Sequence, residues 1–175
     1  LIFGPKAIKN FNDNTEDLVV QDQDHVLYVI NSAGEQVYSQ ALSGPIVSEA
    51  FQIDYFKNGK LQLVLATADR VYAIDRLGEP LPGFPKVLPG EKITHLSVID
   101  YDQTLDYRYF IATENGNLWL LDKMGKDLEN WNPLPLGEPI NGTPFHARVP
   151  GKGDFMVVLG ISGELHFFSR KGESR

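Results

Sequence analysis

The sequence contains no cysteine, and none of its apolar runs is longer than a single strand. Without cysteine there can be no disulfides, zinc–thiolate sites, iron–sulfur clusters or cysteine nucleophiles. The longest apolar runs, such as residues 118–121, are far shorter than the about 20 residues of a membrane-spanning helix. We therefore expect neither thiolate chemistry nor a membrane span in this segment.

An excess of positive charge is also missing. The chain carries 16 Lys and Arg against 23 Asp and Glu, a formal net charge of -7, and has no basic stripe. An acidic surface repels a phosphate backbone, so we expect no nucleic-acid partner. The remaining composition, with 42% hydrophobic residues, 11 Pro and 16 Gly, is typical of a soluble globular protein rich in turns.

What the chain does contain is a repeat. Four nine-residue segments resemble one another, namely residues 26–34, 70–78, 117–125 and 164–172. Each ends on a glycine, and these glycines lie 44, 47 and 47 residues apart. Six positions before each glycine stands a ring residue: Tyr28, Tyr72, Trp119 and His166. This agreement at four places indicates a repeated supersecondary unit of roughly 45 residues.

Each segment also predicts a hairpin turn. Three positions before each glycine is a short polar residue: Asn31, Asp75, Asp122 and Ser169. Such a side chain can accept a hydrogen bond from the backbone two residues further on and start a turn. The glycine then supplies the positive φ that closes a β-hairpin.

Further strand-like runs flank each hairpin in the same order. A β-rich run precedes it at residues 17–21, 61–67, 107–113 and 155–160, and a more polar segment follows it at 35–42, 79–88 and 126–136. Prolines inside the last two polar segments indicate edge strands, because proline cannot donate to a β-ladder. A fourth strand opens each unit, near residues 3–9 in the first and at Ile46, Ile93 and Ile140 in the others.

These runs predict an all-β chain: a partial β-propeller of about four blades, each a four-stranded antiparallel meander. The units lie at about 3–45, 46–92, 93–139 and 140–175 within one propeller fragment. A β-sandwich or barrel also has short strands and frequent turns, but neither needs so regular a repeat.

The two ends of the chain suggest that it is a piece of a longer protein. It starts at Leu1 with no initiator methionine and no signal-like segment, and the last unit stops before its outer strand. Terminal blades would then expose apolar faces, which normally mark an interface. We expect further blades, or a second copy in a homodimer, to complete the propeller.

Two segments resemble known propeller repeats. Residues 112–125, with Trp131 six positions on, resemble the repeat of quinoprotein-like (PQQ-like) β-propellers. Residues 71–78, followed by the run 81–85, are similar to repeats of bacterial propellers of the FG-GAP and VCBS type. The resemblance implies the architecture only, since propellers of this kind serve as dehydrogenases, outer-membrane assembly scaffolds and adhesive modules.

The sequence offers no catalytic or cofactor-binding constellation. The vicinal cysteines on which many quinoprotein dehydrogenases stack their cofactor are missing. Ser162 is one spacer short of a nucleophile-elbow pattern, and residues 151–153 lack the third glycine of a phosphate loop. The four histidines show no ligand spacing, and His166 occupies the ring position of the repeat, where packing is the default role. We expect a protein that is not an enzyme.

One loop suggests a metal. Residues 100–106 place oxygen-bearing side chains at alternate positions, as in short loops that wrap Ca²⁺, and three of them are the carboxylates of Asp100, Asp102 and Asp106. The segment resembles the FG-GAP calcium loop, D-x-D-x-D-G-x-x-D, but it is shorter and lacks the glycine. The alternative is a turn capped by aspartate side chains. Calcium is the one cofactor that the sequence suggests, and these three residues are its candidate ligands.

Aromatic residues leave a second alternative open. Phe84, Tyr101, Tyr107, Trp119 and Trp131 could line a groove for sugars or peptides, although most such residues pack between propeller blades. The function predicted from all of this is a non-catalytic propeller scaffold of a bacterial cell-envelope or secreted protein, extracytoplasmic in location. It would present loops to a protein or polysaccharide partner. The alternatives are a divergent quinoprotein-like enzyme and a calcium-stabilised adhesive module.

Overall fold

The computed structural model describes residues 1–175, and it contains strands and turns but no helix. The predicted all-β fold is therefore confirmed. With no helix present, none is long and apolar enough to cross a membrane.

Fifteen strands form four antiparallel sheets. In chain order they are β1 Phe3–Lys9, β2 Glu16–Gln21, β3 Val26–Ile30, β4 Gln36–Ala41, β5 Phe51–Ile53, β6 Gln62–Ala66, β7 Arg70–Ile74, β8 Lys86–Val87, β9 Ile93–Ile99, β10 Arg108–Thr113, β11 Asn117–Leu121, β12 Leu134–Pro135, β13 Phe145–Val149, β14 Gly153–Leu159 and β15 Leu165–Phe168. Every sheet is a meander in sequence order, and the fourth has three strands because it lacks the outer one, as predicted.

The chain divides into two compact units, each with two sheets. The first unit, Leu1–Val87, holds β1–β4 and β5–β8, and the second unit, Leu88–Arg175, holds β9–β12 and β13–β15. Each unit has its own apolar core between its two sheets.

The predicted turns form as expected in all four repeats. In the first, Asn31 Oδ1 accepts hydrogen bonds from the backbone N–H groups of Ala33 and Glu35, at 3.0 and 2.9 Å. Asp75, Asp122 and Ser169 accept the same pair of bonds in the other three repeats. The glycine that closes each turn has a φ between 75° and 90°, in the left-handed region.

The inner strands differ from the prediction in two repeats. β9 begins at Ile93 as expected, but Ile46 and Ile140 make only isolated bridges, and regular pairing starts five residues later. In the second repeat the reason is visible at Ser48, whose Oγ accepts the N–H of Ala66 at 2.9 Å. A side chain there takes a bond that the backbone ladder would otherwise make, so the strand opens late.

The outer strands also reflect their sequence. β4 is six residues long, whereas β8 and β12 have two residues each. The segments that lead to β8 and β12 contain the prolines noted above, and a residue without an N–H cannot extend a ladder. Short outer strands also present few free edge groups to other chains.

The core of the second unit is organised around Trp131, which is fully buried. Its ring meets Phe110 and Phe168 edge-on, with centroids 5.3 and 5.7 Å away. Its indole N–H donates to the Arg170 carbonyl at 3.0 Å. Trp131 follows β11, whereas Arg170 lies in the turn after β15, so this one side chain joins the third sheet to the fourth.

We predict that Trp131→Ala lowers the free energy of unfolding by about 3–5 kcal/mol, the usual cost of removing a large buried ring. Trp131→Phe keeps a ring against Phe110 and Phe168 but loses the indole hydrogen bond, so its loss should be clearly smaller. Urea denaturation followed by circular dichroism measures both. An alanine variant as stable as the wild type would contradict this account of the core.

Candidate functional site

The three predicted calcium ligands lie in the loop between β9 and β10, at one edge of the second unit. Asp100 organises this loop: its two carboxylate oxygens accept the backbone N–H groups of Thr104, at 3.0 Å, and Leu105, at 2.8 Å. Leu105 and the neighbouring Gln103 have φ values of 63° and 57°, so the chain turns sharply here. Asp100 therefore acts as a cap for the turn, which was the alternative that the sequence left open.

Asp102 points away from the loop and meets two arginines. Its carboxylate accepts from Arg148 at 2.8 Å and from Arg170 at 2.8 and 3.0 Å. Arg148 lies on β13 and Arg170 lies in the turn after β15, so Asp102 ties a loop of the third sheet to the fourth sheet. The hydrogen bonds from Arg170 and Arg148 hold the pKa of Asp102 well below its usual range.

Asp154 completes the group of charges. It faces Arg148 across the β13–β14 pair and accepts its Nε at 2.7 Å, while Arg170 approaches to 2.6 Å and His146 to 2.9 Å. The Asp154 side chain is 17% exposed, whereas Arg148 and Arg170 are 52% and 33% exposed. The hydrogen bond from Arg148 lowers the pKa of Asp154 to about 2, against the opposing effect of burial. We call Asp102, Arg148, Asp154 and Arg170 the arginine–aspartate cluster.

An aromatic residue lies under the cluster. The Arg170 guanidinium is 4.2 Å from the centroid of the Tyr101 ring, and the His146 ring meets the same ring edge-on at 5.0 Å. The Tyr101 hydroxyl contacts the Met156 sulfur at 3.4 Å. Burial raises the pKa of Tyr101 to about 12. Tyr101 thus supports Arg170 through a cation–π contact.

The first unit contains a similar contact between its two repeats. The Arg76 guanidinium is 5.9 Å from the centroid of the Phe11 ring. Phe11 lies in the β1–β2 loop, as Tyr101 lies in the β9–β10 loop. Arg76 lies two residues before the turn glycine of its repeat, as Arg170 does in the second unit. In each unit, therefore, an arginine of one repeat covers an aromatic residue of the repeat before it.

All three aspartates that were predicted to bind calcium line one cleft. Its volume is about 310 Å³, and its walls also include Tyr101, Arg108 and Arg170. Asp106 stands beside the capped turn, where Thr104 Oγ1 lies 3.5 Å from its carboxylate. The cleft combines charges of both signs with one aromatic ring, an arrangement suited to binding a charged or polar partner.

The structure brings the predicted residues together, but it gives each a protein partner. A calcium ion would have to compete with two arginines for Asp102 and with two backbone N–H groups for Asp100. Calcium binding at Asp100, Asp102 and Asp106 stays a prediction.

Sequence reasoning missed Arg148, Asp154, Arg170 and His146. One signal was present: the position two before the turn glycine is basic in three of the four repeats, at Arg76, Lys123 and Arg170.

The aromatic residues that the sequence offered as lining of a groove differ in where the structure places them. Trp131 and Phe84 are buried, as expected of most of them, and Tyr101 lines the cleft.

Comparisons with known proteins identify the fold and no family. No protein-family model and no curated protein sequence matches the chain. Among solved structures, BBS1N in complex with ARL6DN matches with a TM-score of 0.72 and 18% identity, over 97% of this chain and 54% of that chain. The C-terminal domain of Pseudomonas aeruginosa PilY1 gives 0.68 and 13%, over 97% and 49%.

A third structure, the V. cholerae biofilm matrix protein Bap1, gives a TM-score of 0.61 at 14% identity, over 93% of this chain and 26% of that chain. The chain spans about half the length of the first two structures and about a quarter of the third. The neighbours are β-propellers, so the fold of this chain is that of a partial β-propeller, as predicted.

The arginine–aspartate cluster predicts a specific loss of stability in acid. The folded-state pKa of Asp154 is lowered from 3.8 to about 2, so its contribution is complete above about pH 4 and is lost as the pH falls toward about 2. We expect the stability difference between the wild type and Asp154→Asn to shrink over this range in urea titrations. Asp24→Asn, which changes an exposed aspartate in the first unit, is the control. A difference that does not vary with pH would contradict the prediction.

Chelation distinguishes the two interpretations of the Asp100 loop. Calcium binding predicts that a chelator lowers the melting temperature of the wild type and that Asp102→Ala removes this dependence. The ion pairs predict instead that Asp102→Ala lowers the melting temperature equally with and without the chelator, and less at high salt because exposed charges are screened. The geometry favours the second result, and thermal melts of both proteins decide between them.

Proposed function

We propose that this chain is part of a non-catalytic β-propeller scaffold that binds a protein partner through the loop edge of its second unit. The observation that carries the proposal is the arginine–aspartate cluster. It joins three separate segments, the β9–β10 loop, β13 and the turn after β15, through short charged hydrogen bonds. A surface fixed in this way loses little conformational freedom when it binds.

The electrostatics of the arginine–aspartate cluster support binding over catalysis. A general acid or base needs a pKa near the working pH, but the arginines hold the pKa values of Asp102 and Asp154 far below it. Both carboxylates are therefore ionised and paired. They suit electrostatic recognition, which sets orientation and association rate, better than proton transfer.

A protein partner fits the cleft better than a polysaccharide. Sugars commonly stack on an open aromatic face, but Arg170 covers a face of the Tyr101 ring, the aromatic ring of the cleft. Mixed charges with a partly exposed arginine are typical of protein interfaces, where Arg and Tyr are enriched. The similar fold of BBS1N binds the protein ARL6DN, which supports the same use of the architecture here.

The fourth sheet suggests an intramolecular or homotypic contact as well. One of its faces packs into the core through Met156, Val158 and Phe168, while the other exposes Phe145 and Phe167, at 50% and 38%. Propeller blades bury such faces against one another. We propose that a further blade of the same repeat covers this face in the full-length protein, and sedimentation tests the alternative of a homodimer.

The proposed location is extracytoplasmic, at the bacterial cell envelope or outside the cell. The fold is similar to that of a biofilm matrix protein, Bap1. Residues 71–78 also resemble the FG-GAP and VCBS repeats of bacterial propellers. The full-length sequence, with or without a secretion signal, tests this part of the proposal.

The binding proposal predicts that one edge of the second unit carries the interaction. We expect cross-linking on the full-length protein to place the partner at Asp102, Arg148 and Lys171, and Arg148→Gln to weaken that partner's binding about tenfold or more. Lys92→Gln, an exposed residue at the opposite edge paired with Glu114, is the matched control and should leave affinity unchanged. Thermal melts establish that each variant is folded.

Two results would contradict the proposal. Equal weakening by Lys92→Gln and Arg148→Gln would remove the assignment to this edge. Reduction of an artificial electron acceptor that depends on both PQQ and an alcohol or sugar would show a quinoprotein-like enzyme instead.

A further inference from the structure

A second polar cluster lies at the other edge of the second unit, where β12 leads to β13 and where β14 turns into β15. It consists of Glu138, Glu164 and His166, and one ligand atom from each lies within 4.8 Å of the others. His166 Nε2 is 3.0 Å from Glu138 Oε1, and the two side chains are 24% and 21% exposed. None of the three belongs to the arginine–aspartate cluster.

Ser162 holds the Glu138 carboxylate in place. Oε2 accepts the N–H of Ser162 at 2.8 Å, and Oε1 accepts the Ser162 hydroxyl at 2.9 Å. Gly160 makes the room, because a Cβ at that position would lie only 2.2 Å from Glu138 Oε1. Any residue other than glycine at 160 would displace the carboxylate from its position beside His166.

The third repeat provides an internal comparison, since it is offset from the fourth by 47 residues. Glu91 stands at the position of Glu138, but it accepts hydrogen bonds from Thr113 and Asn117, both at 2.7 Å. Nearby, Lys92 pairs with Glu114 at 2.8 Å.

The fourth repeat differs from the third at each of these positions. Thr113 is replaced by Gly160, Asn117 by Glu164, and the ring of Trp119 by His166, while Pro139 and Ile161 stand in place of Lys92 and Glu114. The fourth repeat therefore has no counterpart of the Thr113 and Asn117 donors or of the Lys92 cation, and it has two groups that ligate metals, while Ser162 donates to Glu138. One imidazole and two carboxylates remain around a common point.

We propose that Glu138, Glu164 and His166 bind a divalent first-row transition metal, with zinc as the representative ion. Zinc takes histidine nitrogen and carboxylate oxygen at about 2.0–2.2 Å, so the ligand atoms of a tetrahedral site lie about 3.4 Å apart. The ligand atoms of the cluster lie within 4.8 Å of one another, so they need to approach by at most about 1.4 Å to reach this spacing. Imidazole favours such a metal over calcium, which prefers oxygen ligands alone.

The ion would link the β12–β13 connection to the β14–β15 hairpin and so stabilise the fourth sheet. With three protein ligands, the remaining coordination position is open to water or to a carboxylate of another molecule. This site does not depend on the proposed function, since the two clusters share no residue.

Titration of Zn²⁺ into the metal-free chain tests the proposal by calorimetry and by thermal melting. We expect Zn²⁺ to raise the melting temperature, and His166→Gln and Glu164→Gln each to weaken binding at least about tenfold. Glu91→Gln, at the equivalent position of the third repeat, and His25→Gln, a histidine outside the cluster, are the matched controls and should bind as the wild type does. Circular dichroism establishes that every variant is folded.

Co²⁺ gives an independent readout, because its visible absorption reports nitrogen and oxygen ligands directly. The absorption of the wild type should be lost in His166→Gln and kept in His25→Gln. Zn²⁺ binding that is unaffected by His166→Gln, binding lost equally in the His25 variant, or no binding up to millimolar metal would each overturn the proposal. So would a preference for Ca²⁺ over Zn²⁺ at these residues.

Discussion

The structure of both units depends on one recurring hydrogen-bond pattern. In each repeat a short polar side chain accepts the backbone N–H groups of the residues two and four positions further on, and a glycine with positive φ closes the turn. A shift of one residue would turn every side chain of the strand to the opposite face of the sheet. The pattern thus fixes which residues reach the core and which reach the loop edges.

The arginine–aspartate cluster follows from this register. Arg170 lies two residues before the turn glycine of the fourth repeat, so the turn sets where its guanidinium emerges. From there it reaches Asp102 and Tyr101 of the preceding repeat, while its carbonyl accepts the indole N–H of Trp131. One residue therefore connects the hairpin, the apolar core and the cleft of the second unit.

The sequence predicts most of the fold, because the fold is local. The central two strands of each sheet and their turns follow from a period, a polar residue and a glycine, all within nine residues. The late start of β5 does not follow, because it depends on Ser48, whose hydroxyl oxygen accepts the N–H of Ala66. The site was predicted only in part: the Asp100 loop was found, but its arginine partners are 46 and 68 residues away. His166 was assigned to packing for the same reason, since Glu138 is distant in sequence.

The paired arginine and aromatic residues of each unit also bear on synthesis of the chain at the ribosome. Phe11 and Tyr101 each emerge well before the arginine that covers them, at positions 76 and 170. The first repeat of each unit therefore lacks the arginine that covers its ring until the third strand and turn of the second repeat have left the exit tunnel. Within each unit this contact can form only after the second repeat has been made, so it cannot contribute to folding of the first repeat alone.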